Sequence, residues 1–98
     1  MPRVEITEAA DRDISEIYVY SHRRYGEAQA ERYLLGLDAC FERLAEMPRM
    51  GRNIDHIRTG YFRFEHARHT IFYIILKDGI RIVRVLHASM DPQRHLEG

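Results

Sequence analysis

The sequence predicts an α+β domain in which an antiparallel helical hairpin packs on a small, mainly antiparallel, curved sheet, in the order β-α-α-β-β-β. Two runs rich in β-branched and aromatic residues, between Thr70 and His87, flank Asp78-Gly79 and indicate a β-hairpin. Two segments before Pro48 repeat apolar residues at helical spacing. The 98 residues, 45% hydrophobic and 31% charged, are enough for one domain, which we place at residues 1–98.

Asp78-Gly79 predicts a two-residue type I′ turn. Both central residues of that turn have positive φ, which Asp followed by Gly adopts at little cost. The turn would set the register, and it predicts these pairs: Lys77 with Ile80, Ile74 with Val83, Tyr73 with Arg84 and Thr70 with His87. Apolar residues occupy both faces, so we expect the hairpin in the middle of the sheet with each face at least partly covered.

Short signals delimit the first half of the chain. Val4-Glu5-Ile6 predicts a first strand, and Thr7 is suited to cap a helix that ends at Gly26. A second helix begins at Glu27 and is ended by Pro48. Because the connection between the two helices is so short, we expect them to be antiparallel.

The second half supplies the rest of the sheet. Pro48 to Thr59 is expected to form a long loop, and Tyr61 to Glu65 a strand that turns at Ala67-Arg68 into the hairpin. Asp91-Pro92 would break any strand. The remaining residues are therefore expected to form a tail with about one helical turn.

A net charge of zero conceals two oppositely charged halves. Residues 1–47 contain six Arg and ten acidic residues, a balance of −4, whereas residues 48–98 contain eight Arg, one Lys and five acids, a balance of +4. An acidic helical half and a basic sheet half suggest two faces with different partners. The zero balance argues against a general nucleic-acid binder.

Composition also bears on the compartment. Cys40 is the only cysteine, so an internal disulfide is excluded and a reducing cytosol is favoured. The residues from Met1 to Glu5 lack the apolar core of a signal peptide, and no stretch approaches the roughly 18 apolar residues of a membrane span. We expect a cytoplasmic protein without membrane contact.

Motifs for metal, cofactor or hydrolytic chemistry are absent from the sequence. The six histidines include no pair at H-x-x-x-H spacing, and His66 with His69 would supply too few ligands for a metal site. There is no GxxxxGK[ST], GxGxxG or GxSxG motif. We therefore expect no metal and no cofactor.

Arginine and histidine dominate the sheet half. The set comprises Arg63, Arg68, His69, Arg81, Arg84, His87, Arg94 and His95. Such groups would cleave RNA if cations stabilised the phosphorane charge while a histidine moved a proton. Alternatively, Arg81 and Arg84 point outward and pair with Glu or stack on Tyr73, and His87, opposite Thr70, is a hydrogen-bonded residue at the end of a strand. The residue types alone favour this structural interpretation.

The helices offer a second choice between structure and binding. One set of apolar residues at helical spacing is most simply core: Tyr18, Tyr33, Leu34, Leu37 and Phe41. Val19, Tyr20 and Leu35 lie off the main stripes and would form a groove for a partner helix if they were contiguous. Scattered surface residues are the more common explanation for any one of them.

Several motifs occur in order along nearly the whole chain. They are Asp13-Ile14-x-x-Ile17-x-x-Tyr20-Ser21, Tyr25-Gly26, Ala30-x-x-Tyr33, Leu44-Ala45-x-x-Pro48-x-x-Gly51, Ile57-Arg58-x-Gly60-Tyr61-x-Arg63, His69-x-Ile71-x-Tyr73, and Ile82-Val83-Arg84-Val85-Leu86-His87 followed by Met90-Asp91. In this arrangement the chain resembles the ParE toxins of the RelE/ParE superfamily of bacterial toxin–antitoxin systems.

The resemblance implies a helical hairpin against a curved antiparallel sheet, and a toxin that acts by binding and not by catalysis. It implies DNA gyrase as the target and a ParD-like antitoxin that forms a complex with the toxin and neutralises it. DNA would be contacted only indirectly, through the antitoxin. The residues then expected to bind the target are Arg84, His87, Asp91, Arg94 and His95. Those expected to bind the antitoxin are Tyr18, Tyr20, Tyr33, Leu34, Leu37, Arg58, Arg63 and Arg81.

Two alternatives stay open within the same superfamily. A RelE-like ribosome-dependent mRNA endonuclease would use His87 or His95 as the acid–base group, with Arg94. That branch usually has a late Tyr or His and a basic sheet, whereas here no Tyr follows Tyr73 and Thr70 stands where Arg is common. This departure favours the gyrase-directed branch. The other alternative is a non-toxic module that only binds an antitoxin.

Overall fold

The computed structural model describes residues 2–96. Its elements are β1 (Arg3–Ile6), α1 (Glu8–Tyr25), α2 (Glu27–Glu46), β2 (Arg52–Asn53), β3 (Tyr61–His66), β4 (His69–Leu76), β5 (Gly79–His87) and α3 (Pro92–His95), with a 3-10 turn at Pro48–Met50. The predicted α+β architecture is confirmed, and β2 is an addition within the predicted loop. Met1, Glu97 and Gly98 belong to the predicted domain but lie outside the described residues.

The five strands form one sheet in the order β1-β5-β4-β3-β2. β1 runs parallel to β5, and the other pairs are antiparallel. The hairpin of β4 and β5 lies in the middle of the sheet, as predicted. Its two faces are covered differently, because the helices pack on one face while the loop after β2 and the end of the chain pack on the other.

Both helices begin and end where local chemistry predicts. The Thr7 hydroxyl accepts a hydrogen bond from the Ala10 amide (3.1 Å), which caps α1. Gly26 has φ +93° and is the single residue between the two helices. A side chain there would be strained, so the chain reverses direction between the two helices at a glycine. Among residues 2–96, no helix has the length and apolarity that crossing a bilayer requires.

Two apolar clusters hold the layers together. The larger lies between the helices and the sheet and includes Leu37, Phe41, Ile71 and Tyr73. The Tyr73 hydroxyl donates to Pro48 O (2.7 Å) and accepts from the Gly51 amide (3.0 Å), so one buried ring also anchors the 3-10 turn. The smaller cluster covers the opposite face of the sheet and consists of Ile54, Phe72, Leu86 and Leu96.

The predicted hairpin register is wrong. Leu76 pairs with Gly79, so the loop is Lys77-Asp78 and not Asp78-Gly79. A β-bulge then shifts the pairing, because Tyr73 faces Ile82 while Phe72 faces Arg84, and Val83 is the extra residue. The end of the hairpin pairs His69 with His87, where Thr70 was expected.

Gly79 is required for the approach of β1 and not for a turn. The positive-φ glycines among the described residues are Gly26 and Gly60, so Gly79 does not adopt the conformation of a type I′ turn. A Cβ at Gly79 would lie 1.8 Å from the Arg3 carbonyl oxygen. The Arg3 amide also donates to Asp78 O (2.7 Å). The parallel pairing of β1 with β5 therefore depends on the absence of a side chain at Gly79.

A Gly79→Ala substitution is expected to destabilise the protein by about 2 kcal/mol or more, because the methyl group would collide with the backbone of β1. Chemical denaturation measures this loss. Gly36→Ala is the matched control, since its Cβ would meet His66 at an ordinary 3.5 Å and Ala is about 0.5–1 kcal/mol better than Gly inside a helix. Equal stability of the two variants would contradict this account.

Candidate binding groove

A groove of about 590 Å³ lies between α1, the β3–β4 turn and the end of β5. The following residues line it, and we call it the α1–β5 groove: Asp13, Glu16, Ile17, Tyr20, Ser21, Tyr25, Gln29, Tyr33, Ala67, Arg68, His69, Arg84, Val85, Leu86, His87 and Met90. Its floor is largely apolar, and its rim carries charges of both signs. This combination is typical of a binding site.

The groove exists because β1 covers only part of β5. Their pairing ends at Ile6 and Ile82. The Thr7 amide then donates to Ile82 O (3.1 Å) and its hydroxyl to Val83 O (2.9 Å), which turns the chain from strand into helix. Beyond this point α1 takes the place of a neighbouring strand, and the last residues of β5 border the groove.

Asp13 joins α1 to this uncovered edge. Its carboxylate accepts hydrogen bonds from the Val85 amide (3.0 Å) and from Arg84 Nε and Nη2 (2.7 and 2.9 Å). The side chain of Asp13 is 12% exposed and that of Arg84 is 25% exposed. The forked geometry and partial burial make this a strong ion pair. The carboxylate raises the pKa of Arg84 further above its usual value, chiefly through the hydrogen bond.

Three aromatic groups meet at the inner end of the groove. The Tyr33 hydroxyl lies 2.5 Å from His69 Nδ1, and the His69 and His87 rings are in edge contact with centroids 5.6 Å apart. Burial, reinforced by the neighbouring His87, His66 and Arg68, lowers the pKa of His69 from 6.5 to about 4. His69 is therefore neutral at pH 7. It acts here as a hydrogen-bonded structural residue and not as a cation.

His87 is exposed, and its tautomer follows from its neighbours. The Ser89 amide donates to His87 Nδ1 (3.2 Å), and the Ser89 hydroxyl lies 2.8 Å from the same atom. An amide can only donate, so Nδ1 is the acceptor and the neutral ring carries its proton on Nε2. His87 can thus offer an N–H to a partner.

The outer rim combines aromatic and basic groups. Arg68 donates to the Tyr25 hydroxyl (3.1 Å). The pKa of Tyr25 is lowered by hydrogen bonds with Arg24 and Arg68. Tyr20 is 58% exposed and Met90 38% exposed, and both line the groove. This rim presents apolar surface beside a cation that an acidic side chain would match.

The residues predicted to bind the target have different positions. Arg84 is occupied by Asp13 and by the His95 carbonyl (3.0 Å), and Asp91 accepts from the Gln93 amide as the cap of α3. His87 and Arg94 are exposed, and His95 is partly exposed. Arg84 and Asp91 thus have structural roles within the chain, while the side chains of His87, Arg94 and His95 are accessible to a partner.

The residues predicted to bind the antitoxin divide in the same way. Tyr20 and Tyr33 line the groove, whereas Leu37 is 1% exposed and lies in the core, so it offers a partner no surface. Tyr18 is partly exposed and Leu34 packs against the core. The three arginines have partners within the chain: Arg58 lies over Tyr61, Arg63 over Phe72 and beside Glu65, and Arg81 pairs with Glu5.

Of the two strand arginines, Arg81 pairs with a Glu, Glu5, as the structural interpretation predicts, whereas Arg84 pairs with Asp13. Of the extra apolar residues, only Tyr20 lines the groove; Val19 and Leu35 are exposed elsewhere. Sequence reasoning missed Asp13 as a site residue. Its spacing carried a signal, because it falls between Ala10 and Ile17 on the buried stripe of α1.

The groove is suited to binding. Among residues 2–96, no three His, Cys, Asp or Glu side chains come together in a way that would hold a metal ion. An apolar floor, a free histidine N–H and a rim arginine provide contacts for a peptide segment with apolar and acidic side chains.

Comparison of the fold places the chain in a known class. A chain of the solved chromosomal ParDE TA system from P. aeruginosa superposes with a TM-score of 0.73 over 89% of this chain and 96% of its own length, at 18% sequence identity. At this identity the match establishes the fold. The predicted RelE/ParE-like architecture is thereby confirmed.

Sequence comparison makes the assignment specific. The model of the family described as "ParE toxin of type II toxin-antitoxin system, parDE" matches residues 4–92. Toxin ParE1 of Mycobacterium tuberculosis is 41% identical over 95 residues, which cover 96% of this chain and 97% of that protein. Toxin ParE1 of Caulobacter vibrioides is 38% identical over 98 residues, covering 98% and 99%. The chain belongs to the ParE toxin family of bacterial type II toxin–antitoxin systems.

The environment of His69 predicts a pH dependence of stability. The folded chain keeps its ring neutral down to about pH 4, whereas in the unfolded chain the ring takes up a proton near pH 6.5. The unfolded state thus binds more protons between these values, and the contribution to stability is complete above pH 6.5 and lost as the pH falls toward 4. Denaturant unfolding at pH 7.5 and at pH 5 measures this effect. Between the two pH values, the free energy of unfolding should fall less for His69→Gln than for the wild type.

His56→Gln is the control for this comparison, because His56 is exposed in the loop before β3. It should lose as much stability between the two pH values as the wild type does. If His69→Gln also behaved like the wild type, His69 would not be the group responsible.

Proposed function

We propose that this protein is a toxin that inhibits DNA gyrase by binding to it, and that a ParD-like antitoxin neutralises it by occupying the α1–β5 groove. The observation that carries the proposal is the composition of that groove. It brings Tyr20 and Tyr33, from the residues expected to bind the antitoxin, together with Arg84 and His87, from those expected to bind the target. One segment lying in the groove would cover surface of both kinds. Neutralisation would then follow from direct occlusion.

The groove specifies the chemistry of the antitoxin segment. Tyr20, Tyr25 and Met90 line the groove and are exposed, so they present apolar surface that suits one face of an amphipathic helix. Arg68 on the rim favours an acidic side chain, whereas Glu16 on the opposite wall favours a basic one. A segment with an apolar stripe between oppositely charged edges would match both walls.

The target surface lies beside the groove. It comprises His87 at the end of β5, which also lines the groove, and Arg94 and His95 at the end of α3. His87 and Arg94 are exposed, and His95 is partly exposed. Their role in the proposal is recognition and not catalysis. Arg84, the remaining cation of the predicted set, is already paired with Asp13 and so is poorly placed to stabilise the charge of a cleaved phosphate.

The proposed action takes place in the cytoplasm, where gyrase works on the chromosome. With zero net charge, the toxin itself is not expected to hold DNA, and contact with DNA would come through the antitoxin in the complex. The basic half of the chain then serves protein partners.

Purified toxin should inhibit the supercoiling of relaxed plasmid by DNA gyrase at near-stoichiometric amounts, and added antitoxin should restore supercoiling. Expression in a bacterium should cause filamentation before translation stops, because the block falls on replication. Full supercoiling at a stoichiometric excess of toxin would overturn the proposed target. Cleavage of ribosome-bound mRNA that disappears in a His87→Ala variant would establish the endonuclease alternative instead.

Tyr20→Ala should weaken antitoxin binding by about tenfold or more, since exposed aromatic residues in a groove are typical hot spots. Leu35→Ala is the matched control: Leu35 is 68% exposed on α2 and does not line the groove, so its loss should leave the affinity unchanged. Titration calorimetry measures both. Equal affinities for the two variants would place the antitoxin elsewhere on the surface.

A further inference from the structure

Arg84 connects α1, which is distant in sequence, with β5 and α3. Its Nε and Nη2 donate to Asp13 on α1, and its Nη1 donates to the carbonyl oxygen of His95 in α3 (3.0 Å). All three guanidinium nitrogens therefore have acceptors. Because Arg84 is itself part of β5, one side chain joins a helix, the uncovered edge of the sheet and the end of the chain.

The segment from Ala88 to Leu96, which we call the C-terminal segment, is held at few other points. Leu96 is 4% exposed in the smaller apolar cluster, and the Ala88 amide donates to Arg68 O (2.8 Å). Its remaining hydrogen bonds are local, from Met90 to His87 and within the single turn of α3. A four-residue helix is unstable in isolation, so its position depends on these long-range contacts.

From this geometry we propose that Asp13 and Arg84 are positioning residues that hold the C-terminal segment against the sheet, so that Arg94 and His95 are presented in a fixed arrangement. Asp13 aims the guanidinium, and the guanidinium holds the segment through His95 O. The consequence for the target rests on the proposed function. The mechanical role of the pair does not, because it concerns only contacts within the chain.

The alternative role for Arg84 is direct contact with the target. That role conflicts with its hydrogen bonding, because a partner would have to displace Asp13 or the His95 carbonyl. Displacing Asp13 would also leave the Val85 amide without its acceptor. A positioning role requires no such exchange.

Hydrogen exchange of individual amides tests the mechanical role. The reporters are the amide of Met90, which donates to His87 O, and those of Gln93, Arg94 and Leu96, which donate within the segment. Arg84→Lys keeps the charge opposite Asp13 but replaces the fork by a single ammonium that cannot reach both acceptors. Asp13→Asn keeps the shape and an acceptor for Val85 but removes the charge. Both variants should speed exchange of the reporters by about tenfold or more, the factor expected for a charge-assisted hydrogen bond.

Glu5→Gln is the matched control. It breaks the ion pair between Glu5 on β1 and Arg81 on β5 (2.8 Å), which lies near the start of β5, at the other end of that strand from the C-terminal segment. It should leave the reporter amides at the wild-type rate. The role is overturned if Arg84→Lys leaves the exchange rates of the reporter amides unchanged. It is also overturned if the amides at the centre of β4 accelerate by the same factor, because that result indicates a general loss of stability.

A double-mutant cycle in the supercoiling assay tests the consequence for the target. Arg84→Lys and the paired change Arg94→Ala with His95→Ala should each raise the toxin concentration needed for half-inhibition by about tenfold. Combined, they should raise it little further, because both act through the same segment. Additive effects would overturn the positioning role. If the wild type does not inhibit gyrase, the proposed function fails, and hydrogen exchange still decides whether the pair holds the segment.

Discussion

The structure depends on how the uncovered half of β5 is completed. β1 supplies a neighbouring strand only as far as Ile82, and beyond it the edge would carry unpaired backbone groups. Thr7 and Asp13 replace that neighbour. The amide and hydroxyl of Thr7 donate to the carbonyl oxygens of Ile82 and Val83, and the Asp13 carboxylate accepts from the Val85 amide. The path of α1 along the sheet is therefore fixed by polar contacts as well as by apolar packing, and the groove is the space that this path leaves open.

Local chemistry made much of the fold predictable, whereas contacts between distant residues did not. Thr7, Gly26 and Pro48 mark the helix ends because capping and glycine conformation are properties of a few adjacent residues. The predicted hairpin register is wrong because the local rule places Asp78-Gly79 in the turn, whereas Gly79 lies in β5 and leaves room for the backbone of Arg3. At the bulge, the carbonyl of Val83 accepts a hydrogen bond from Thr7, a contact that the hairpin sequence alone does not reveal.

The candidate site shows the same division. Arg84 and His87 were identified from residue type and position, but their roles come from partners far along the chain. Asp13 binds Arg84 across 71 positions, and Tyr33 reaches His69 across 36. An ion pair that neutralises a cation changes it from a surface group into a structural one, and no property of the sequence near Arg84 shows this. The acidic and basic halves of the chain are thus partly matched within the molecule itself.

The single glycine between the helices also limits how such chains can vary in length. With no loop between α1 and α2, an inserted residue at Gly26 would rotate one helix against the other and carry its apolar stripe off the sheet. The stretch from Met47 to Gly60 is less restricted. It is anchored by the buried Ile54 and by the hydrogen bonds of Tyr73 to Pro48 and Gly51, but between these points it consists of a short turn, a two-residue strand and mostly exposed residues. Insertions and deletions among related chains should accumulate there, which leaves the helical hairpin at nearly constant length while its surface residues diverge.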